Sequence, residues 1–172
     1  MIQSVNPTPT DETDGLPMPR RIWAVISVGF ALCMSVLDVN IINIVLPTLS
    51  HDFGTSPAVT TWIINGYQLA IVVSLLSFSA LGEIIGYRKV YLSGIGLFCI
   101  TSLICALSDS FWTLTIARIF QGFSASAITS VNTAQLRYIY PKSQLGRGMG
   151  INAMVVAISA AAGPSVASGI LS

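Results

Sequence analysis

Residues 23–46 read WAVISVGFALCMSVLDVNIINIVL, an apolar stretch that contains one charged side chain, Asp38. A helix of this length extends for roughly 36 Å, and the hydrocarbon core of a bilayer is about 30 Å thick. The stretch lacks the alternation of apolar and polar residues that a half-buried strand requires. It therefore predicts a transmembrane helix.

Four further apolar stretches follow, at residues 60–80, 90–107, 112–136 and 148–171. We number the five stretches in chain order as spans 1 to 5. Charged residues make up 9% of the chain, against about 25% in soluble domains. A soluble helix bundle, the alternative, would need polar faces that these stretches lack. The predicted fold is an all-α membrane protein with five transmembrane helices.

The basic residues mark one side of the predicted membrane. Seven of the eight Lys and Arg residues precede span 1 or lie between spans 2 and 3 or spans 4 and 5: Arg20, Arg21, Arg88, Lys89, Arg137, Lys142 and Arg147. Cytoplasmic loops retain basic residues. The chain is therefore predicted to be a multi-pass protein of the cell (inner or plasma) membrane with a cytoplasmic amino terminus. Residues 1–19, rich in proline and acidic residues, predict a disordered cytoplasmic tail.

Two charged residues fall inside spans, Asp38 in span 1 and Arg118 in span 4. Charges within a bilayer are costly and are usually paired or functional. Asp38 lies about 12 Å and Arg118 about 9 Å below the outer boundary at about 1.5 Å per residue, so we expect them to approach inside the bundle. Gln121 shares the helical face of Arg118.

An acid paired with a guanidinium in a membrane suits proton-coupled transport. The carboxylate stays ionised beside the cation and can take up a proton when the pair separates in a dry cavity. The alternative is a purely structural pair that fixes the register of two helices.

Other chemistries have little support in the sequence. His51 is the only histidine, and the three cysteines lie within spans, where we interpret them as packing residues: Cys33, Cys99 and Cys105. The sequence contains no metal-ligand cluster, nucleophile–base arrangement, phosphate-binding loop or basic patch. We therefore predict that the chain is not an enzyme, uses no metal or cofactor, and does not bind nucleic acid.

Four stretches, in order, resemble motifs of the major facilitator superfamily, in its drug/proton antiporter branch and most of all its fourteen-helix members. Residues 37–47, LDVNIINIVLP, resemble the helix 1 signature and include Asn40, Asn43 and Pro47. Residues 79–89, SALGEIIGYRK, resemble the loop between the second and third spans. Its motif positions are Gly82, Glu83, Gly86, Arg88 and Lys89.

The other two motifs lie in spans 4 and 5. Residues 117–127, ARIFQGFSASA, resemble the helix 4 motif, with Arg118, Gln121 and Gly122. Residues 150–169 resemble the antiporter motif of helix 5. There Gly150, Gly163 and Pro164 match, and Ser159 replaces a glycine. Ser159, Gly163 and Ala167 also form a stripe of small residues at four-residue spacing, which favours close helix packing. Pro164 predicts a bend or a soft point in the helix.

The resemblance implies secondary transport, specifically export of drugs or other hydrophobic or cationic small molecules driven by protons. Asp38, Arg118 and Gln121 would then take part in proton coupling. Residues 20–172 would form part of an amino-terminal six-helix domain.

Transporters of this family have about twelve to fourteen spans, so we expect a fragment or a truncated gene product. Such a piece should not transport alone. The expected partners are the lipid bilayer, a small-molecule substrate, protons and the missing carboxy-terminal helices. A metabolite uptake carrier of the same fold and a non-transporting membrane fragment remain open.

Overall fold

A computed structural model of the chain describes residues 15–171, with side chains to residue 169. Every regular element in that range is helical, which confirms the predicted all-α fold. Spans 1, 3, 4 and 5 correspond to α1, α4, α5 and α6, and span 2 corresponds to α2 and α3 together. The helices are α1 (Met18–Asp52), α2 (Pro57–Thr60), α3 (Trp62–Ile85), α4 (Tyr87–Ala106), α5 (Phe111–Ile139) and α6 (Leu145–Leu171), and a 3₁₀ turn (Lys142–Gln144) precedes α6.

Four helical segments of the described chain are long and apolar enough to cross a membrane: Met18–Asp52, Pro57–Ile85, Tyr87–Ala106 and Lys142–Gly169. The fifth long helix, α5, has 29 residues but is more polar. It is also the most deeply buried helix, because α3 and α4 pack along it. Polar groups in membrane proteins are tolerated where they face the bundle interior, which accounts for the lower hydropathy of α5.

The long helices pack in two groups. One group consists of α3, α4 and α5, whose mutual contacts are the most extensive in the molecule, and the other consists of α1 and α6. The larger apolar cluster contains Val90, Phe98, Ile128 and Val131, all at most 5% exposed. The two groups meet mainly where α1 passes α5, in a smaller contact. We call this meeting line the seam between the α1–α6 group and the α3–α4–α5 group.

Short connections set the relative heights of α3, α4 and α5. Gly86 separates α3 from α4 with φ = 98°, a left-handed conformation that a side chain would oppose. Ser110 precedes α5, and its Oγ accepts a hydrogen bond from Thr113 N at 3.2 Å, as an N-cap residue does. Because only a few residues separate α4 from α5, the end of α4 lies level with the first turns of α5.

The start of α1 differs from the predicted tail. Residues 1–14 lie outside the described residues, but α1 begins at Met18, and Leu16 N donates to Ile139 O at 3.1 Å. Arg21 donates to Leu16 O at 3.0 Å and to Gln144 Oε1 at 3.0 Å. The prediction of a tail through residue 19 therefore extends too far. Proline near the start of a helix occupies a position where no backbone donor is needed, so Pro19 does not exclude helix.

Among the described residues, Pro47 and Pro164 lie in helix interiors, beyond the first turn. α1 continues past Pro47 to Asp52, beyond the predicted end of span 1 at residue 46, and α6 continues past Pro164. A helical proline removes one backbone hydrogen bond, but transmembrane helices tolerate this loss.

Candidate functional site

Asp38 and Arg118 are in direct contact at the seam. Arg118 Nη1 lies 2.6 Å from Asp38 Oδ2, and the side chains are 8% and 16% exposed for Arg118 and Asp38. Gln121, which is fully buried, donates from Nε2 to Asp38 Oδ1 at 3.2 Å. Both carboxylate oxygens of Asp38, on α1, therefore accept hydrogen bonds from side chains on α5. The expectation that Asp38 and Arg118 approach inside the bundle agrees with this geometry, whereas Gln121 was predicted only to share the helical face of Arg118.

The spacing along α5 explains how one helix supplies both donors. Arg118 and Gln121 are three residues apart, so they lie on one face of the helix. Ser124 continues this face, and its Oγ donates to Gln121 O at 2.6 Å. We call Asp38, Arg118 and Gln121 the carboxylate cluster.

The contacts of Arg118 depend on the charge of Asp38. Opposite charges attract strongly in a low-dielectric interior. Removing one partner of a buried ion pair leaves the other charge uncompensated, which costs about 3–5 kcal/mol. Arg118 Nε is buried and has no hydrogen-bond partner among the described residues. The guanidinium is therefore held mainly through Asp38, and a change in the charge of that carboxylate would leave it under-coordinated.

Two residues that the sequence did not assign to the site lie beside the cluster. Cys105 Sγ of α4 lies 3.5 Å from Gln121 Oε1. Tyr67 of α3 is 5% exposed and lies within electrostatic range of both Asp38 and Arg118. Cys105 had been interpreted as a packing residue. The signal available in the sequence was its position near the carboxy-terminal end of span 3, at the same end of the bundle as the first turns of span 4.

The helix 1 signature residues make no hydrogen bond to the carboxylate cluster in the part of the chain that the structure describes. Asn40 Nδ2 donates to Val36 O and Asn43 Nδ2 donates to Val39 O, both at 2.8 Å. Their amide groups thus bond the backbone of α1 itself. Asn40 is half-buried against α6, Asn43 is exposed, and Pro47 is exposed.

The loop between α3 and α4 forms a separate region. Gly82 is buried against Tyr87, and a Cβ added to Gly82 would lie 2.7 Å from that ring. The other motif positions are exposed: Glu83, Gly86, Arg88 and Lys89. Glu83 and Arg88 make no ion pair in the described part of the chain. No intramolecular partner for these charges is found there.

The helix 5 motif residues divide between two environments on α6. Ser159 is 3% exposed and Ala167 is fully buried, and a Cβ on Gly163 would lie 2.6 Å from Asn40 Cβ. This small-residue stripe is therefore the surface on which α6 packs against α1. Gly150 and Pro164 are exposed, and nothing lies within 4 Å of a Cβ added to Gly150.

The model of the Major Facilitator Superfamily matches residues 28–172. A protein described as "Uncharacterized transporter YebQ" from Escherichia coli (strain K12) is 52% identical over 164 residues, which cover 95% of this chain and 36% of that protein.

Two more distant relatives carry functional descriptions. "Drug efflux pump JefA" from Mycobacterium tuberculosis (strain ATCC 25618 / H37Rv) is 30% identical over 89% of this chain and 30% of that protein. "Riboflavin transporter RibZ" from Clostridioides difficile (strain 630) is 32% identical over 88% of this chain and 34% of that protein. The chain thus spans about a third of the length of these relatives.

Proposed function

We propose, from the premise that this chain belongs to the major facilitator superfamily, that it forms the amino-terminal part of a longer proton-coupled exporter of drugs or other hydrophobic or cationic small molecules. The observation that carries the proposal is the contact of the Asp38 carboxylate, whose side chain is 16% exposed, with Arg118 and Gln121 between two helix groups. Similarity to a protein described as a drug efflux pump supports the direction of transport. The remaining helices of the transporter would supply the other side of the substrate path.

In this proposal Asp38 carries the proton. Arg118 and Gln121 hold the ionised carboxylate at 2.6 and 3.2 Å. Proton uptake would remove the negative charge and convert charge-assisted hydrogen bonds into weaker neutral ones. The contact between α1 and α5 would then loosen, and release of the proton on the other side would restore it.

The membrane orientation is also part of the proposal. The exposed charges of the α3–α4 loop lie at the same end of the bundle as the amino terminus of α1, because α1 and α3 run in opposite directions. The distribution of Lys and Arg supports a cytoplasmic position for this end. We propose that Glu83, Arg88 and Lys89 contact other parts of the complete transporter there.

Proton-gradient-driven efflux from vesicles containing the complete transporter tests the proposal. Asp38→Asn keeps the shape of the side chain but removes its charge, and it should abolish acceleration of efflux by a pH gradient. Asp52→Asn is the matched control, since Asp52 is an exposed acid on the same helix, and its Oδ1 lies 3.6 Å from His51 Nδ1. If Asp38→Asn retains full gradient-driven efflux, proton coupling through this residue is wrong.

A paired substitution separates the functional from the structural interpretation. Asp38→Asn with Arg118→Gln replaces the ion pair with two neutral polar groups and leaves no unpaired charge, so the double variant should recover part of the thermal stability lost by either single change. The functional interpretation expects that the recovered protein still lacks proton coupling. Recovery of coupling together with stability would indicate that the pair serves only to fix the helices.

Transport of a metabolite is the second candidate, favoured by similarity to a protein described as a riboflavin transporter. Riboflavin flux into and out of cells that express the complete transporter discriminates the two candidates. Accumulation dependent on Asp38 would select the metabolite carrier, and drug extrusion dependent on Asp38 would select the exporter. We expect liposomes that contain residues 1–172 alone to show neither activity, as a non-transporting fragment would.

A further inference from the structure

Cys105 lies at the edge of the carboxylate cluster, on a helix that contributes no other group to it. Its thiol is half-buried, and Sγ lies 3.5 Å from Gln121 Oε1. Cys99, earlier on α4, is exposed and makes no hydrogen bond with the described residues. The two thiols of α4 therefore differ in environment, and Cys105 is the one that faces the carboxylate cluster.

The amide of Gln121 has two chemically different ends. Nε2 donates to Asp38 Oδ1 at 3.2 Å, while Oε1 faces the thiol of Cys105. If the amide rotated by half a turn, Oε1 would oppose the carboxylate oxygen and Nε2 would oppose a thiol, which is only a weak acceptor. Gln121 is fully buried, so bulk water does not compensate either end. The environment on both sides thus selects one orientation of the amide.

We propose that Cys105 is a positioning residue of the proton site, which keeps Gln121 Nε2 directed at Asp38 by donating its S–H to Gln121 Oε1. The inference rests on the proposed function, in which Asp38 alternates between ionised and protonated forms. While Asp38 is ionised, its own charge holds the amide in place. When Asp38 is protonated, its O–H becomes a donor that is best satisfied by an amide oxygen. Cys105 opposes the rotation that would present that oxygen.

The consequence is a bias between the two forms of the site. With Cys105 present, Gln121 remains a donor, which favours the ionised carboxylate. Without the thiol, Gln121 is free to rotate and accept from protonated Asp38, so the protonated form persists to higher pH. Cys105 therefore lowers the pH at which Asp38 loads its proton.

The titratable and charged groups that face Asp38 come from three helices. Arg118 comes from α5, Tyr67 from α3 and Cys105 from α4. In the described part of α6 the charged residue is Arg147. It lies in the first turn of that helix, 16 residues before Gly163, which contacts Asn40 of α1. Arg118 acts on Asp38 directly, whereas the proposed effect of Cys105 passes through Gln121.

Infrared difference titration of the complete transporter in lipid tests this role. The C=O stretch of a protonated carboxyl group that disappears in Asp38→Asn reports the protonation of Asp38 itself. We expect Cys105→Ala to move its midpoint to higher pH by about half a unit, about a threefold change in proton affinity. Cys105→Ser keeps a hydroxyl donor and should titrate as the unmodified protein does. Cys99→Ala, on the same helix, is the matched control.

Two further variants make the outcome decisive. Gln121→Leu should render the titration insensitive to Cys105→Ala, because the proposed effect passes through the amide. Cys105→Val, which fills the site without a donor, should shift the midpoint as alanine does, and it serves if the alanine variant does not fold.

The result that overturns the proposal is an unchanged midpoint in both Cys105→Ala and Cys105→Val, or an equal shift in Cys105→Ser. Because the titration needs no substrate, it is independent of transport. A protein that shows the expected shifts but no proton-driven flux would contradict the proposed function and leave the positioning role intact.

Discussion

Replacement of Gly122 by alanine is expected to force α3 away from α5. A Cβ built on Gly122 overlaps the backbone carbonyl of Tyr67, and it lies 2.8 Å from Ala70 Cβ and 3.2 Å from Tyr67 C. None of these atoms belongs to the end of a flexible side chain, so no rotamer change relieves the overlap. The two helix backbones must separate.

The required separation sets the size of the effect. Carbon atoms pack best at about 3.5–4.0 Å, so the helices must move apart by roughly 1 Å at this point. Overpacking of this kind costs about 1–3 kcal/mol. A loss of 1 kcal/mol lowers the unfolding midpoint of a protein of this size by about 2–4 °C. The expected decrease, relative to a Gly→Ala change that meets no neighbouring atom, is therefore about 2–12 °C.

Thermal unfolding in detergent, followed by tryptophan fluorescence, measures this decrease. The matched control is Gly96→Ala on α4, where nothing lies within 4 Å of the added Cβ. Alanine is favoured over glycine in a helix by about 1 kcal/mol, so the control should be neutral or stabilising. Equal midpoints for Gly122→Ala and Gly96→Ala would refute the close approach of α3 and α5 at Gly122.

Two further predictions concern packing and topology. Gly163→Val should lower the unfolding midpoint, because its Cβ would lie 2.6 Å from Asn40 Cβ, whereas Gly150→Ala should not, because its Cβ meets open space; similar decreases in both would contradict the packing of α6 against α1. In a background without native cysteines, Lys89→Cys and Lys142→Cys should resist an impermeant thiol reagent added outside intact cells, whereas His51→Cys should react; reaction of either lysine position from outside would disprove the proposed orientation.

The pairing of Asp38 with Arg118 could be expected from the sequence because it depends mainly on the depth of each residue in the membrane. Span boundaries fix the depth of each residue. Two opposite charges at the same depth in a bilayer are expected to pair, because an unpaired charge there is costly. The same argument reaches Gln121, since a separation of three residues fixes its position on the face of α5. No knowledge of how the helices pack was needed for this step.

The contact of Cys105 with Gln121 could not be expected in the same way. It depends on the rotation of α4 about its own axis, which side-chain packing along α4 and α5 determines. Cysteine also packs as a small apolar residue in many cores, so its residue type alone does not predict a hydrogen bond. The start of α1 was missed for a related reason, since the bonds of Leu16 and Arg21 reach residues more than a hundred positions later.

Because the carboxylate cluster lies at the seam, protonation of Asp38 would act on the contact between the two helix groups. Within the α3–α4–α5 group the packing is dense, with Gly122 against the Tyr67 backbone, and α6 is fitted to α1 through Gly163 and Asn40. A change of one charge inside either group would act against this apolar packing, which changes little with protonation. At the seam the direct contact is small, and the bonds of Asp38 to Arg118 and Gln121 form a large share of it. In the proposed mechanism, weakening these charge-assisted bonds shifts the two groups relative to each other while the packing within each is preserved.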